Sequence, residues 1–436
     1  MIICKFGGTS VGSAERIQKV AELVKGGDKK IVVLSAMSGT TNALVEIANY
    51  LFNNQNEIAA NLIQGLRSQY TKTVEDLFST EAFLEKGREL LDSQFDYLIT
   101  FTQDSFTVHE EKAVLAQGEL LSTALFQLYC EEAGITSRLL PALQFMRIDK
   151  DLEPDDFYIQ ENLSRLLAEE ADCPLFITQG FICRNRYGEI DNLKRGGSDY
   201  SASLIGVAAK AKEEQIWTDI DGMHNNDPRI VDQTQPIQHL SYDEAAELAY
   251  FGAKILHPSS ITPTKAANIP VRLKSTMSPD AGGTLITAKT GGRGIKAIAA
   301  KDGITAIKVK SGRMLLAFGF LRKVFEIFEL YRTSIDMITT SEVAVSVTID
   351  DTTHLKEIAR ELEKYGTVEV DQDQTIVCVV GDFIKQDKGV AKRVFDCLSE
   401  TPLSMISYGG SDHNISLLVN TKDKAGALRE LNHIFE

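Results

Sequence analysis

Four short apolar runs, each passing straight into glycine, serine or threonine and then into a helical pattern, constrain this chain more than any other feature. They are Met1–Cys4 before Lys5-Phe6-Gly7-Gly8-Thr9-Ser10, Ile31–Leu34 before Ser35-Ala36-Met37-Ser38-Gly39, Pro174–Thr178 before Gln179-Gly180-Phe181, and Gln215–Thr218 before Asp219. Continuous rather than alternating apolarity suits strands buried on both faces, as in a parallel sheet covered by helices. Polar residues and glycines set just after the strands lie at the carboxyl edge, where open α/β sheets bind ligands. The expected fold is therefore a three-layer αβα domain with a mainly parallel sheet. Between about Ala43 and Cys130 the pattern is polar-rich and helical, and reads as an insertion more than a sheet unit.

A chain of 436 residues exceeds what one core usually organises, so two or three domains are expected. Glycines crowd Ala281–Gly294 (Gly282, Gly283, Gly291, Gly292, Gly294), which reads as a boundary loop. Beyond it, residues 304–310 have the pattern of a strand, 319–331 of a helix, 334–339 and 343–349 of strands, 354–364 of a helix and 367–370 of a strand. That is one βαββαβ unit. Residues 376–380, 388–398, 403–407, 415–419 and 424–435 repeat it but stop before a last strand. An incomplete repeat leaves an open sheet edge; Ile295–Ala300, the unassigned strand candidate nearby, is expected to complete the second unit. The expected division is 1–290 for the α/β domain, 303–372 for the first ferredoxin-like unit, and 295–300 with 375–436 for the second.

The net charge of −15 argues against a general nucleic-acid binder. It also means that an anionic substrate must be gripped by local Lys, Arg and backbone N–H groups. The six cysteines are scattered without a C-x-x-C pair or a histidine at zinc spacing, so no metal site and no disulfide framework is expected. No apolar run of ~20 residues appears, and the N-terminus lacks a signal-peptide pattern. A cytoplasmic chain without membrane association is expected.

Two segments have the chemistry of anion cradles. Lys5-Phe6-Gly7-Gly8-Thr9-Ser10 places a cation and two glycines between a strand and a helix whose pattern begins near Ser13; glycines let backbone N–H groups approach phosphate oxygens, and helix N-termini favour anions. Arg195-Gly196-Gly197-Ser198-Asp199 repeats the logic, with a guanidinium able to grip a carboxylate bidentately and Ser198 or Asp199 able to cap a helix. A single cradle can be a plain strand–helix turn. Two in one domain suggest one ligand with several negative groups, or two anionic ligands side by side. Trp217–Gly222, followed by Asn226-Asp227-Pro228-Arg229, offers polar groups for a base and ribose and an arginine for phosphates. Phe251-Gly252-Ala253-Lys254 ends an amphipathic helix.

In order and spacing, Lys5–Val11, Ser35–Asn42, Gly118-Glu119, Gln179-Gly180-Phe181, Arg195–Ala202, Trp217–Asp219, Asp227-Pro228-Arg229 and Phe251–Pro258 resemble the aspartokinases of the amino-acid-kinase superfamily. The likeness covers essentially the whole chain, because the two C-terminal repeats resemble that family's paired ACT domains. Ile335–Val343 is similar to the effector segment of the lysine-sensitive branch, and a monofunctional chain, without an appended homoserine dehydrogenase domain, is expected. The resemblance implies phosphoryl transfer from ATP, accompanied by Mg²⁺, to the side-chain carboxylate of L-aspartate. It places the aspartate against Thr41, Glu119, Arg195, Gly196, Gly197 and Ser198, with Arg195 on a carboxylate and Glu119 on the ammonium group. It places ATP against Lys5, Gly7, Gly8, Thr218, Asp219, His224, Arg229, Lys254 and Ile255, with Lys5 and Lys254 stabilising the transferring group and Asp199 orienting the cations. It implies an L-lysine pocket formed by Met314, Ala317, Phe320, Leu321, Asp336 and Glu342, in a homodimer built through the ACT domains. Two positions depart from the family pattern: His224 stands where a tyrosine is common, and Ala317 where lysine-sensitive relatives have a serine. A relative acting on glutamate, carbamate or a nucleoside monophosphate, and a non-catalytic amino-acid sensor, are the rival readings. Retention of Lys5, Asp199 and Lys254 speaks against the sensor.

Overall fold

A computed structural model describes residues 1–193, 196–252, 256–289, 292–312, 318–382 and 388–435. The chain divides into two compact bodies. One comprises Met1–Met223, Gln238–Tyr242 and Ile255–Lys289, the other His224–Ile237, Asp243–Lys254 and Thr290–Glu436.

Among the described residues of the first body, eight strands form one sheet in the order Arg138–Leu139, Leu175–Gln179, Lys30–Leu34, Ile2–Phe6, Glu213–Thr218, Val271–Ser275, Thr284–Thr287 and His239–Ser241. Every neighbouring pair is parallel except Val271–Ser275 with Thr284–Thr287. The apolar runs explain why. Cys4, Phe6, Val32, Leu34, Leu175 and Ile177 enter one core, while the alternate residues Ile3, Ile31, Val33 and Phe176 enter another on the opposite face. A strand lined with apolar side chains on both faces is stable only between two helical layers.

Helix Ala14–Val24 opens where Ser13 Oγ accepts the Arg16 N–H at 3.4 Å, and it buries Ile17, Val20, Ala21 and Val24. The helical stretch that follows the second strand contains Thr40–Phe52, Asn56–Leu77, Glu81–Thr100 and Val108–Glu132. The described stretch is helical and contributes no strand, as expected, and its last helix is also part of the core. Val108–Glu132 buries Val114, Leu121, Leu125 and Phe126 in the cores and holds Glu119 among them. It is a full member of the helical layer, and the polar residues Gln117, Glu119, Ser122 and Thr123 disguise this because they too point inward.

In the second body, six described strands form an antiparallel sheet in the order Ile338–Thr340, Ala344–Ile349, Gly294–Lys310, Thr367–Asp382, Asn414–Asn420 and Met405–Tyr408. The segments expected as separate strands at 295–300 and 304–310 are one 17-residue strand, and those at 367–370 and 376–380 one 16-residue strand. The register slips between Lys301 and Ile304 and again between Ile304 and Ala306. Gly303 and Asp373 adopt φ of +75° and +55°, so the ladder bends there without ending. Two cores lie along this sheet: Ile307, Val324, Phe328, Val347 and Ile358 in one, Val377, Val394, Leu417 and Leu428 in the other. Segment 224–237 belongs to the second core: Val231 is buried there, and Asn226 Nδ2 donates to the Leu428 carbonyl at 2.9 Å.

Candidate active site

Lys5 lies near the carboxyl end of strand Ile2–Phe6, in register with Val33 on one side and Ile216 on the other. Its Nζ meets Asp199 Oδ1 at 2.5 Å, with the two side chains 12% and 15% exposed. The turn that follows runs against the neighbouring loop. Ser38 N–H donates to the Gly8 carbonyl at 3.1 Å, and a Cβ on Gly8 would sit 2.7 Å from the Ala36 carbonyl oxygen, so only glycine fits.

Asp199 stands in the first turn of helix Gly197–Ala208, whose N-cap is Gly196 at φ +65°. Neither Ser198 nor Asp199 caps the helix; both are inside it. The left-handed Gly196 makes the turn unaided, and Asp199 is left to bind Lys5 instead. Ser198 is buried, and Phe181 N–H donates to Ser201 Oγ at 2.8 Å, which joins this helix to the loop after strand Leu175–Gln179.

Glu119 projects from helix Val108–Glu132 and is 3% exposed. The Ala36 N–H donates to its Oε1 at 3.2 Å, while Oε2 has no hydrogen-bond partner. Burial pushes its carboxyl up to about 7, with the Ala36 N–H and the Lys5 charge pulling the other way. Desolvation dominates, as expected of a carboxylate that lacks a full counter-ion. Thr41 is exposed in the first turn of helix Thr40–Phe52, whereas Thr40 beside it is buried and shares a 2.9 Å hydrogen bond with Tyr70. Thr218 and Asp219 follow strand Glu213–Thr218, whose Trp217 is in register with Phe6; Thr218 Oγ1 donates to Asp219 Oδ1 at 3.0 Å. The first body thus carries Lys5 and Thr218 at strand ends, Gly7, Gly8 and Asp219 in the turns that follow, Gly196, Gly197, Ser198 and Asp199 at a helix N-terminus, and Glu119 in the middle of a helix.

Two further features escaped the sequence. A cleft beside the glycine turn is lined by Thr9, Ser10, Arg16, Lys19, Asp219 and Met277, so two cationic residues are among its lining. Arg16 and Lys19 are three residues apart on the helix after the glycine turn, the spacing that puts both on one face. Glu214, fully buried on its strand, accepts the Ser203 hydroxyl at 2.9 Å; burial pushes its carboxyl up to about 8, with Asp199 raising it further and Lys5 opposing. Set between Glu213 and Gln215 in a polar stretch, Glu214 carries no sequence signal of its depth.

The second body holds the remaining candidates. His224 Nδ1 shares a 2.8 Å hydrogen bond with Thr234 Oγ1. The guanidinium of Arg229 is largely exposed and grips Asp227 through Nε at 2.9 Å and Nη2 at 2.8 Å. Phe320 is buried at the start of helix Phe320–Leu330, while Leu321 and Glu342 are exposed. The Asp336 side chain is 1% exposed. Arg195, Lys254, Ile255, Met314 and Ala317 lie outside the described residues.

Residues 1–275 match the amino acid kinase family and residues 377–435 an ACT domain. The chain is 33% identical to lysine-sensitive aspartokinase 3 of Escherichia coli, an alignment covering 100% of this chain and 99% of that one. The chain belongs to the aspartokinase family. It is likewise 32% identical to the aspartokinase of Chlamydia trachomatis, over 99% of this chain and 97% of the other. Among solved structures, E. coli aspartokinase III in complex with aspartate and ADP superimposes with a TM-score of 0.84 at 32% identity, covering 100% of both chains. The same enzyme with lysine and aspartate gives 0.84 at 33% identity, again over 100% of both chains. For an aspartokinase, the first body's parallel sheet and the second body's ACT sheet are the expected parts, and no described helix is long and apolar enough to cross a membrane.

Proposed function

We propose that this aspartokinase transfers the γ-phosphoryl group of ATP to the side-chain carboxylate of L-aspartate through the residues around Lys5. The observation that carries the reading is the Lys5–Asp199 pair, held at the carboxyl edge between two glycine turns and facing the same region as the buried, incompletely paired Glu119.

The nucleophile, an aspartate side chain with a reference pKa of about 3.9, is already ionised at neutral pH. No general base is needed. What opposes reaction is the approach of a carboxylate to a polyphosphate, so positioning and charge neutralisation supply the catalysis. Lys5 stabilises the transferring phosphoryl oxygens, and Asp199 fixes the direction of its ammonium group. Gly7 and Gly8 turn backbone N–H groups toward phosphate, with Thr218, Asp219, His224, Arg229, Lys254 and Ile255 completing the nucleotide contacts. Arg195 takes a carboxylate of the substrate beside Gly196, Gly197, Ser198 and Thr41, and Glu119 takes its ammonium group, which supplies the missing partner of Oε2. Mg²⁺ accompanying ATP would supply further neutralisation of phosphate charge, and Asp199, paired with Lys5, is the residue that would help to hold it.

The reading extends to regulation. Residues 1–290 form the catalytic domain, 303–372 the first ACT domain, and 295–300 with 375–436 the second. L-Lysine binds the first ACT domain at Met314, Phe320, Leu321, Asp336 and Glu342, in a cytoplasmic homodimer joined through these domains, and the missing hydroxyl at Ala317 weakens its hold. Aspartate-dependent ADP release, with the acyl phosphate trapped by hydroxylamine, tests the activity. Turnover with aspartate but not glutamate is the expected result, and ADP release indifferent to aspartate would overturn it.

A further inference from the structure

Helix Tyr242–Tyr250 ends four residues before Lys254, and one of its faces is tied to the ACT sheet at three points spaced three residues apart. Glu244 pairs with Lys296 at 3.0 Å. Glu247 accepts the Ser411 hydroxyl at 2.8 Å and the Asn414 amide at 2.6 Å. Tyr250 donates its hydroxyl to Asp336 Oδ1 at 2.7 Å. Residues at i, i+3 and i+6 share a helix face, so the three contacts act together.

The Tyr250 contact differs from the other two because its acceptor belongs to the proposed effector segment. Lys301 Nζ reaches the same Asp336 oxygen at 2.8 Å, binds Asp350 at 2.8 Å, and lies 4.6 Å above the Tyr250 ring. Both donors therefore converge on one oxygen, and the other, Oδ2, is buried without a hydrogen-bond partner. Burial pushes the Tyr250 hydroxyl above its usual range, and Asp336 adds to it, so the phenol keeps its proton and donates. The next turn is equally constrained. Gly252, at φ +117°, lies so close to strand Gly294–Lys310 that a Cβ there would come within 2.0 Å of the Ala300 carbonyl oxygen.

We propose that Tyr250 is a positioning residue through which Asp336 governs ATP binding: its hydroxyl holds the helix end that leads into Lys254, and a ligand ammonium group arriving at Asp336 competes for that hydroxyl's acceptor. The proposal rests on the reading of Asp336 as an effector residue and Lys254 as a nucleotide residue. It predicts which constant lysine changes. Loss of the hydroxyl frees the helix end, raising KM for ATP, and removes a competitor of lysine, lowering the concentration needed for half-inhibition. Effector and nucleotide are coupled reciprocally.

The test is Tyr250→Phe in the full chain. A typical hydrogen bond is worth roughly a two- to tenfold effect. We expect KM for ATP to rise by about that factor, KM for aspartate to stay within about twofold, and the lysine midpoint to fall by a similar factor. Asp336→Asn, which weakens the acceptor without vacating its space, should raise KM for ATP in the same direction, and it carries the test if Tyr250→Phe does not fold. A raised KM for ATP in a chain that ignores lysine supports the tie and removes lysine as the ligand. Equal changes in both KM values, or no change in KM for ATP, overturn the proposal and leave the kinase reading intact.

Discussion

Glu119→Gln should make the ligand-free protein more stable at pH 8 while nearly abolishing its grip on aspartate. The folded chain holds the Glu119 proton more tightly than the unfolded chain does, because burial raises the carboxyl from its ordinary 4.5 to about 7. Between those values the folded state binds more protons, so stability falls as pH rises and levels off above about 7. The lift corresponds to about 3 kcal/mol at pH 8, and we take roughly 1–3 kcal/mol as the range for so buried a group. Glutamine escapes this penalty and keeps an oxygen for the Ala36 N–H. It cannot offer a charge to the substrate ammonium group, and KM for aspartate should rise by on the order of 10²–10³, as when a buried ion pair loses one partner. The assay is thermal unfolding of parent and variant from pH 5 to pH 8 without ligands, alongside KM for aspartate and ATP. The parent's own kcat/KM for aspartate should fall nearly tenfold per pH unit below about 7, since binding needs the ionised carboxylate. A variant no more stable than the parent at pH 8, with an unchanged KM for aspartate, would refute both the burial argument and the substrate role.

Lys5→Ala should lower kcat by on the order of 10²–10³ with the fold intact, as measured by steady-state ADP release and thermal unfolding, because its charge acts on the transition state. Arg195→Lys keeps the charge but loses the planar fork, so KM for aspartate should rise much more than KM for ATP; equal effects on both would contradict its assignment. L-Lysine at millimolar concentration should inhibit the parent, and a tenfold preference for the less active state corresponds to about 1.4 kcal/mol. An enzyme indifferent to millimolar lysine would end the regulatory reading without touching the kinase assignment.

The parallel sheet was legible because its signal is local: an apolar run such as Ile31–Leu34 feeds alternate side chains into two cores and leaves no polar face to mislead. The glycine turns are legible from paired glycines after an apolar run, although the contact that requires Gly8, with the Ala36 carbonyl oxygen, comes from another loop. Long-range partners are not legible. Lys5 and Asp199 are 194 residues apart, a pairing known only once helix Gly197–Ala208 lies beside strand Ile2–Phe6. Helix Val108–Glu132 is legible as a helix, but the depth of Gln117, Ser122 and Thr123 on its inward face is not, because periodicity assigns polar residues to solvent. The ACT strands were cut in two because Gly303 and Asp373 look like turn residues, yet the ladder absorbs their left-handed φ as register slips. For the effector segment, sequence could not distinguish Asp336 from Glu342. One is buried between Lys301 and Tyr250 and the other is exposed, a difference set by helix Tyr242–Tyr250, more than 80 residues upstream.

A chain of net charge −15 that binds two anions faces an electrostatic problem, and the buried acids bear on it. Lys5 is paired to Asp199, so its full charge is not free to attract phosphate. Were Glu119 and Glu214 both ionised as well, the field near Lys5 would be negative. Burial removes much of that repulsion, because carboxyls raised to about 7 and about 8 are largely or partly protonated near neutral pH in the empty site. In the proposed arrangement aspartate would change the balance locally, because its ammonium group beside Glu119 would favour the charged form of that carboxyl. The acid that repels anions is thus charged mainly when a cation lies beside it. Glu214 is not among the residues proposed to touch substrate; burial raises its carboxyl to about 8, and the Ser203 hydroxyl donates to it at 2.9 Å. Replacing Glu214 with glutamine should therefore change the pH profile of kcat/KM for aspartate far less than the same change at Glu119, although both carboxyls interact electrostatically with the same lysine.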